Sequence, residues 1–214
     1  MKHIIITGCS SGLGRAMAEE ALTKGHKIFP HYRRDMGGVG LVGDVTDWNF
    51  ADNFSEYLKI SNADVFINNA AIYSAKPIEE YGDKEIERIF EVNVLSQINL
   101  IKRAYTYFKK KKSGLIININ SLATIHPGKN ETIYCASKWA IKGFSKSLQI
   151  EAIGTGVEII DVHPGGIQTR MTKDRDNFDS LMNVSDVATQ VIDLVQRKSN
   201  YVNEIVLRKR NESK

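Results

Sequence analysis

The sequence is poor in cysteine and proline and has no long apolar run. Of its 214 residues, two are cysteine and four are proline. Two cysteines cannot form a disulfide framework, and no C-x-x-C pair or His/Cys cluster indicates a metal site. No stretch reaches the ~18 apolar residues of a membrane span, and the apolar start, Ile4–Ile6, is too short for a signal peptide. These absences predict a metal-free, cytoplasmic protein without membrane association.

The chain also lacks a large net charge of either sign. There are 29 Lys and Arg against 25 Asp and Glu, which gives a net charge of +4. The one dense basic run is 109–112, which we interpret as a solvated helix end, because cations suit the carboxyl end of a helix. We therefore expect no nucleic-acid partner. The 42% apolar and 25% charged content is typical of globular proteins, and the length predicts one domain over 1–214.

Short β-branched runs alternate with longer amphipathic stretches along the whole chain. This alternation predicts βαβ units and an α/β fold with a doubly wound parallel sheet. The stretch between the second and third strands has no room for a full helix. Predicted strands cover 3–7, 27–29, 40–43, 63–68, 114–119, 157–162 and 204–207, and predicted helices cover 13–24, 48–60, 83–110, 132–152 and 184–197.

A glycine-rich loop joins the first strand to the first helix. Its glycines are Gly8, Gly12 and Gly14, a T-G-x-x-x-G-x-G spacing rather than G-x-G-x-x-G. Glycine permits a tight strand-to-helix turn and lets the backbone approach a pyrophosphate, which then lies at a helix N-terminus. The loop therefore predicts binding of a dinucleotide.

The end of the second strand bears on the choice between NAD and NADP. In doubly wound domains an acid here binds the ribose 2′-hydroxyl, whereas an arginine accommodates a 2′-phosphate. Tyr32 stands at the expected acid position and is followed by Arg33 and Arg34. This favours NADP, although Asp35 leaves NAD as the alternative.

A Tyr-x-x-x-Lys pattern occurs three times. Residues four apart share a helix face, and a lysine near a phenol is expected to lower its pKa and so make it a usable acid or base. Two copies run into the lysine-rich helix end. The third, Tyr134 and Lys138, has small neighbours and follows Ser121, which comes just after the fifth predicted strand. Because ligands bind at the carboxyl ends of parallel strands, Ser121 is expected to share an edge with the glycine loop.

Together these residues resemble the short-chain dehydrogenase/reductase family over nearly the whole chain. Further motifs of the family are matched in order. They are Asp44-Val45 after the third strand, Asn68-Asn69-Ala70-Ala71 in place of N-N-A-G, Asn93 in the long helix, and Pro164 to Thr169 as P-G-x-x-x-T. Ala71 departs from the family glycine, and its Cβ would be strained if the backbone there had a positive φ.

The resemblance implies a Rossmann-like sheet of about seven strands in the order 3-2-1-4-5-6-7. The short connection between strands 2 and 3 departs from the family pattern, and we expect the helix there to be shortened or missing. The resemblance implies hydride transfer between NADP(H), or NAD(H), and a small carbonyl or alcohol, with a homodimer or homotetramer. It also implies catalytic roles for Ser121, Tyr134 and Lys138, and for Asn93, which would hold a water that relays protons. The implied cofactor-binding residues are Gly8, Ser10, Ser11, Gly12, Leu13, Gly14, Arg33, Asp44, Val45, Asn69, Ala70, Ala71, Tyr134, Lys138, Pro164, Gly165, Ile167 and Thr169.

Other functions remain open at this point. A non-catalytic NADP-binding redox sensor would share the fold, and a sugar-nucleotide epimerase would share the Tyr/Lys pair but needs an added substrate domain. The substrate itself is not indicated. Residues expected near it by position are Tyr73, Thr124, His126, Arg170, Met171, Lys173, Phe178 and Met182.

Overall fold

The computed structural model describes residues 1–197 and 201–210. Their core is a parallel sheet of seven strands in the order β3-β2-β1-β4-β5-β6-β7, which confirms the predicted topology. The strands are β1 His3–Ile6, β2 Lys27–Tyr32, β3 Leu41–Val42, β4 Val65–Asn68, β5 Gly114–Ile119, β6 Val157–Pro164 and β7 Glu204–Leu207.

Helices cover both faces of the sheet, which explains why its central strands are almost continuously apolar. Ile4, Ile5 and Ile6 are each 0% exposed. Helices α1 and α6 pack on one face, and α2, α4 and α5 pack on the other. The helices are α1 Gly12–Thr23, α2 Trp48–Ile60, α3 Asp83–Phe90, α4 Ser96–Lys111, α5 Thr132–Glu151 and α6 Val184–Asp193. None of them, within the described residues, is both long and apolar enough to cross a membrane.

The long helix predicted over 83–110 is interrupted. A π-helical segment, Glu91–Leu95, separates α3 from α4. Such segments occur mostly as single turns within α-helices and often lie at functional sites. The apolar spacing predicts the helix correctly, but it does not reveal the wider turn. In the same way α6 ends at Asp193 and continues as a short 3-10 turn over Leu194–Gln196.

The connection between β2 and β3 is a loop, as predicted. Residues 33–40, all described, contain no helix, and the loop from Arg33 to Val39 is exposed. This short connection requires the backbone before β3 to pack closely against that of β2. A Cβ added to Gly40 would lie 2.6 Å from the carbonyl oxygen of Pro30, and the Gly43 N–H donates to the carbonyl of Tyr32 at 3.0 Å.

The start of β5 gives a test of the packing. A Cβ added to Gly114 would lie 2.1 Å from Cγ of Phe108, whose ring is fully buried. We expect Gly114→Ala to lower the free energy of unfolding by about 1–3 kcal/mol, because the ring must move in a close-packed core. Gly143→Ala is the matched control, since that glycine is helical with open space around it. It should raise stability by about 0.5–1 kcal/mol. Urea unfolding measures the free energy of unfolding of both variants. Equal changes in the two would contradict the close packing of Phe108 against Gly114.

Candidate active site

One cleft of about 690 Å³ lies at the carboxyl ends of the strands. Every residue predicted to act in binding or catalysis lines it, with the exception of Asn93. Of the expected substrate neighbours, Tyr73, His126, Arg170 and Met171 line the cleft, whereas Thr124, Lys173, Phe178 and Met182 do not. The parallel sheet therefore brings together residues that are far apart in the chain.

The glycine loop forms one end of this cleft. Gly8 and Gly12 have φ values of +76° and +58°, a region that favours glycine. A Cβ at Gly14 would lie 2.3 Å from the carbonyl oxygen of Gly8, so the loop closes on itself only because that side chain is missing. The Ser11 side chain makes no capping hydrogen bond to α1. The first-turn amides of the helix therefore remain available to phosphate oxygens, and the loop fits a pyrophosphate.

Thr7 fixes the loop after β4 against the glycine loop. Its Oγ1 accepts the N–H groups of Asn69 at 2.9 Å and of Ala70 at 3.1 Å. The Asn69 amide donates back to the Thr7 carbonyl at 2.7 Å. Ala71 is not among the residues with a positive φ. Its Cβ is therefore unstrained, which explains how alanine replaces the family glycine.

Asp44 and Arg33 lie toward the other side of the glycine loop. Arg33 is exposed at the edge of the cleft. The Asp44 carboxylate accepts hydrogen bonds from Arg88 Nη2 at 2.6 Å and from the Thr46 hydroxyl at 2.8 Å. Burial alone raises the pKa of Asp44, but the bonds from Thr46 and Arg88 hold it below its usual value. Arg88 also lines the cleft. Sequence reasoning missed it because α3 gives no local sign of this partner.

Ser121, Tyr134 and Lys138 meet in the same cleft, next to the end of β5. The Ser121 Oγ accepts the Ala123 N–H at 3.1 Å, which fixes its position just after the strand. Lys138 Nζ donates to the carbonyl of Ile119 at 3.1 Å and lies 5.9 Å from the centre of the Tyr134 ring. Lys138 is only 2% exposed. The lysine is thus fixed between the strand end and the tyrosine one turn before it.

Burial dominates the electrostatics of this group. It raises the pKa of Tyr134 to about 12, and interaction with the Ser121 hydroxyl opposes the rise. Burial also lowers the pKa of Lys138 to about 8, against the favourable charge of Asp161. The expected lowering of the Tyr134 pKa by Lys138 is therefore not seen in this structure. At neutral pH the phenol carries its proton, which is the form that a general acid requires.

Asn93 lies behind the cleft rather than in it. It belongs to the π-helical segment and is 0% exposed. Its amide accepts the Ile72 N–H at 2.9 Å and donates to the Ile72 carbonyl at 2.9 Å and to the Ser137 hydroxyl at 3.2 Å. The side chain thus joins the loop after β4 to α5. Its role in holding a relay water stays a prediction.

Three polar side chains form a cluster beside Tyr134. The Tyr73 hydroxyl donates to Glu131 at 2.6 Å, and Arg175 Nη2 donates to both, at 2.7 Å each. The Tyr73 ring stands edge-on to the Tyr134 ring, with 5.0 Å between centres. Glu131 precedes α5 and Arg175 follows β6, so neither carries a local signal of the cluster. They were missed from the sequence for that reason.

Comparison with known proteins identifies the family. The family model described as "short chain dehydrogenase" matches residues 2–180 of this chain. The 3-oxoacyl-(acyl-carrier-protein) reductase FabG of Haemophilus influenzae is 35% identical over 187 residues, covering 80% of this chain and 76% of that protein. The chain belongs to the short-chain dehydrogenase family. It is accordingly an oxidoreductase with a Rossmann-type fold that uses a nicotinamide cofactor.

Solved structures agree with this membership. An alcohol dehydrogenase from Thermococcus sibiricus, complexed with 5-hydroxy-NADP, has a TM-score of 0.87 at 22% identity and covers 100% of this chain and 99% of its own. At that identity it supports the fold alone. A putative NAD(P)-dependent gluconate 5-dehydrogenase from Beutenbergia cavernae, with bound NADP, has a TM-score of 0.84 at 26% identity, over 95% and 93% of the two chains.

The burial of Lys138 predicts a cost in stability. Folding lowers the Lys138 pKa to about 8, whereas the unfolded value is about 10.4. Its charge therefore destabilises the native state below pH 8, and this penalty disappears as the pH rises toward the unfolded pKa. We expect Lys138→Met to raise the free energy of unfolding at pH 7 by about 1–3 kcal/mol, with the gain shrinking above pH 8.

The matched control is Lys102→Met, at an exposed position of α4. It should change stability by less than about 0.5 kcal/mol at any pH. Denaturant unfolding of both variants from pH 7 to 10 measures the effect. A Lys138→Met protein that is less stable than the parent at pH 7 would contradict the assignment of a costly buried charge.

Proposed function

We propose that this protein is an NADP-dependent dehydrogenase/reductase that interconverts a small carbonyl compound and its alcohol, with Tyr134 as the general acid and base. One observation carries the proposal. The Ser121, Tyr134 and Lys138 side chains share a cleft with a glycine loop whose first-turn amides are free. A dinucleotide bound at the loop and a carbonyl bound near Tyr134 would thus meet within one cleft.

The cofactor, when bound, supplies or accepts the hydride. The chain supplies the proton and the orientation. Tyr134, protonated at neutral pH, donates its phenolic proton to the substrate oxygen as the alcohol forms. The Ser121 hydroxyl donates a hydrogen bond to the same oxygen and stabilises the charge that develops there. Lys138, as an ammonium, stabilises the phenolate that remains, and Asn93 positions α5 through Ser137.

Arg33 supports NADP as the preferred cofactor. It lies exposed at the edge of the cleft, near the end of β2, where a 2′-phosphate is expected in such folds. Its planar guanidinium suits phosphate oxygens. The residue at the position of the usual acid is Tyr32, which has no negative charge to repel that phosphate.

Other features complete the proposal. We place the protein in the cytoplasm as one domain over 1–214, acting as a homodimer or homotetramer through the long helices. Leu95, at the end of the π-helical segment, and Trp139, on α5, are 58% and 52% exposed. Both lie on the helical segments that would form the interface of such an oligomer.

Loss of the phenol tests the chemistry. We expect Tyr134→Phe to reduce the NADPH-dependent turnover of small ketones by at least about a thousandfold, because the variant lacks the proposed proton donor. Binding of NADPH, measured by fluorescence, should survive. Tyr105→Phe is the matched control, since Tyr105 has a lysine, Lys109, 5.6 Å from its ring centre in the same sequence pattern.

Full activity in Tyr134→Phe would contradict this mechanism. A parent protein that binds NADPH but turns over none of a broad ketone and alcohol panel would favour the redox sensor instead.

Removal of the arginine tests the cofactor preference. We expect Arg33→Ala to weaken NADPH binding by about 10- to 100-fold, the value of one charge-assisted hydrogen bond pair. NADH binding should stay unchanged, because NADH has no 2′-phosphate. Arg34→Ala, at an exposed neighbour outside the cleft, should affect neither cofactor. Equal loss of NADH and NADPH binding in Arg33→Ala would show that the arginine does not select the phosphate.

A further inference from the structure

We propose that His31 is a positioning residue for the cofactor, a neutral imidazole that sets both the glycine loop and the loop before Asp44. The proposal rests on the cofactor site argued above. It concerns a residue that neither the sequence motifs nor the catalytic group involves.

His31 is almost fully buried at the carboxyl end of β2. It is 2% exposed, yet it lines the cleft. Its Nδ1 lies 3.2 Å from the Gly8 nitrogen, and its Nε2 lies 2.9 Å from the Gly43 carbonyl oxygen. Its own carbonyl accepts the Cys9 N–H at 2.9 Å. One residue therefore holds the first two amides of the glycine loop and, on its other side, the residue before Asp44.

The partners of the ring determine its protonation state. The Gly8 amide can only donate, so Nδ1 must be an acceptor. The Gly43 carbonyl can only accept, so Nε2 must carry the proton. The neutral Nε2-protonated tautomer alone satisfies both. A second proton on Nδ1 would point at the Gly8 N–H and break that bond.

The surroundings of the ring favour the neutral form. Burial lowers the pKa of His31, while its bond to Gly43 and the charge of Asp44 oppose the decrease. Asp44 is itself paired with Arg88 from α3. From α2, the ring of Phe50 packs against the imidazole at 4.8 Å between centres. From the glycine loop, Cys9 is uncharged, because burial raises the pKa of its thiol to about 12.

A displaced Gly8 would disturb the phosphate cradle. The Gly8 carbonyl already stands 2.3 Å from the place of a Cβ on Gly14. The two backbone segments are therefore in contact, and a shift of one moves the other. Gly14 lies in the first turn of α1, where the phosphate-binding amides are. Protonation of His31 should therefore weaken cofactor binding without touching Tyr134 or Lys138.

The experiment measures dissociation constants for NADH and NADPH from pH 5 to pH 8, by fluorescence titration. NADH is included because it has no 2′-phosphate to titrate in this range. His31→Phe keeps the ring volume beside Phe50 and removes both nitrogens. At pH 8 this variant should bind both cofactors about tenfold more weakly than the parent. In the parent, affinity for NADH should fall as the pH decreases through the His31 pKa, and in His31→Phe this fall should disappear.

Two further variants make the result specific. His31→Asn places an amide oxygen near Nδ1 and should recover part of the affinity, with no such pH dependence. His26→Phe is the matched control, because His26 Nδ1 also accepts a backbone N–H, that of Lys2, at 3.2 Å. His26 lies at the opposite end of the sheet, before β2, and its loss should leave cofactor binding unchanged.

Wild-type affinity and pH dependence in His31→Phe would overturn the proposal. A readout without cofactor separates this outcome from failure of the proposed function. Hydrogen exchange at the Gly8 amide, corrected for its intrinsic rate, should be slower in the parent than in His31→Phe at pH 8. If the parent binds neither cofactor, the proposed function fails, and this protection still supports His31. Equal protection in the parent and in His31→Phe would overturn the role of His31 whatever binds.

Discussion

The contact between the backbones of Gly8 and Gly14 is the constraint on which the cofactor half of the cleft depends. With a Cβ site 2.3 Å from a carbonyl oxygen, nothing larger than glycine fits at position 14 unless the loop opens. Thr7 and Asn69 fix the loop from the β4 side, and His31 fixes it from the β2 side. The start of α1 is held in place by neighbours on both sides, so its first-turn amides have the fixed geometry that the proposed phosphate site requires.

The half of the cleft around Lys138 carries a cost in stability. Lys138 is a charge placed where water is nearly excluded, and a buried charge is tolerated only with partners. One partner is the Ile119 carbonyl. Deeper under α5, Asp161 accepts hydrogen bonds from Asn118 at 3.0 Å and from Ser145 at 2.7 Å, and its charge favours the ammonium form. A buried polar layer thus compensates part of the cost of burying the Lys138 charge.

Much of the fold is predictable from local pattern. The strand positions, the missing helix between β2 and β3 and most helix ends agree with expectations, because short β-branched runs and amphipathic stretches mark strands and helices along the chain. The strand order agrees as well, but it was implied by the family resemblance and not by local pattern. The π-helical segment around Asn93 is not predictable in this way, since its apolar spacing matches that of an α-helix. The motif residues were found because they are local in sequence. Arg88, Glu131, Arg175 and His31 were missed because their partners lie far away in the chain.

The sequence by itself determined the family and the residues that match its motifs, namely the glycine loop, Ser121, Tyr134 and Lys138. Only the tertiary structure decided their electrostatic state. Burial, which no local pattern encodes, raises the pKa of Tyr134 and lowers that of Lys138. It also decided the tautomer of His31, because the Gly8 donor and the Gly43 acceptor meet the ring only after the strands have paired. The protonation state of each of these side chains depends on its neighbours in space, and those neighbours come together only when the chain folds.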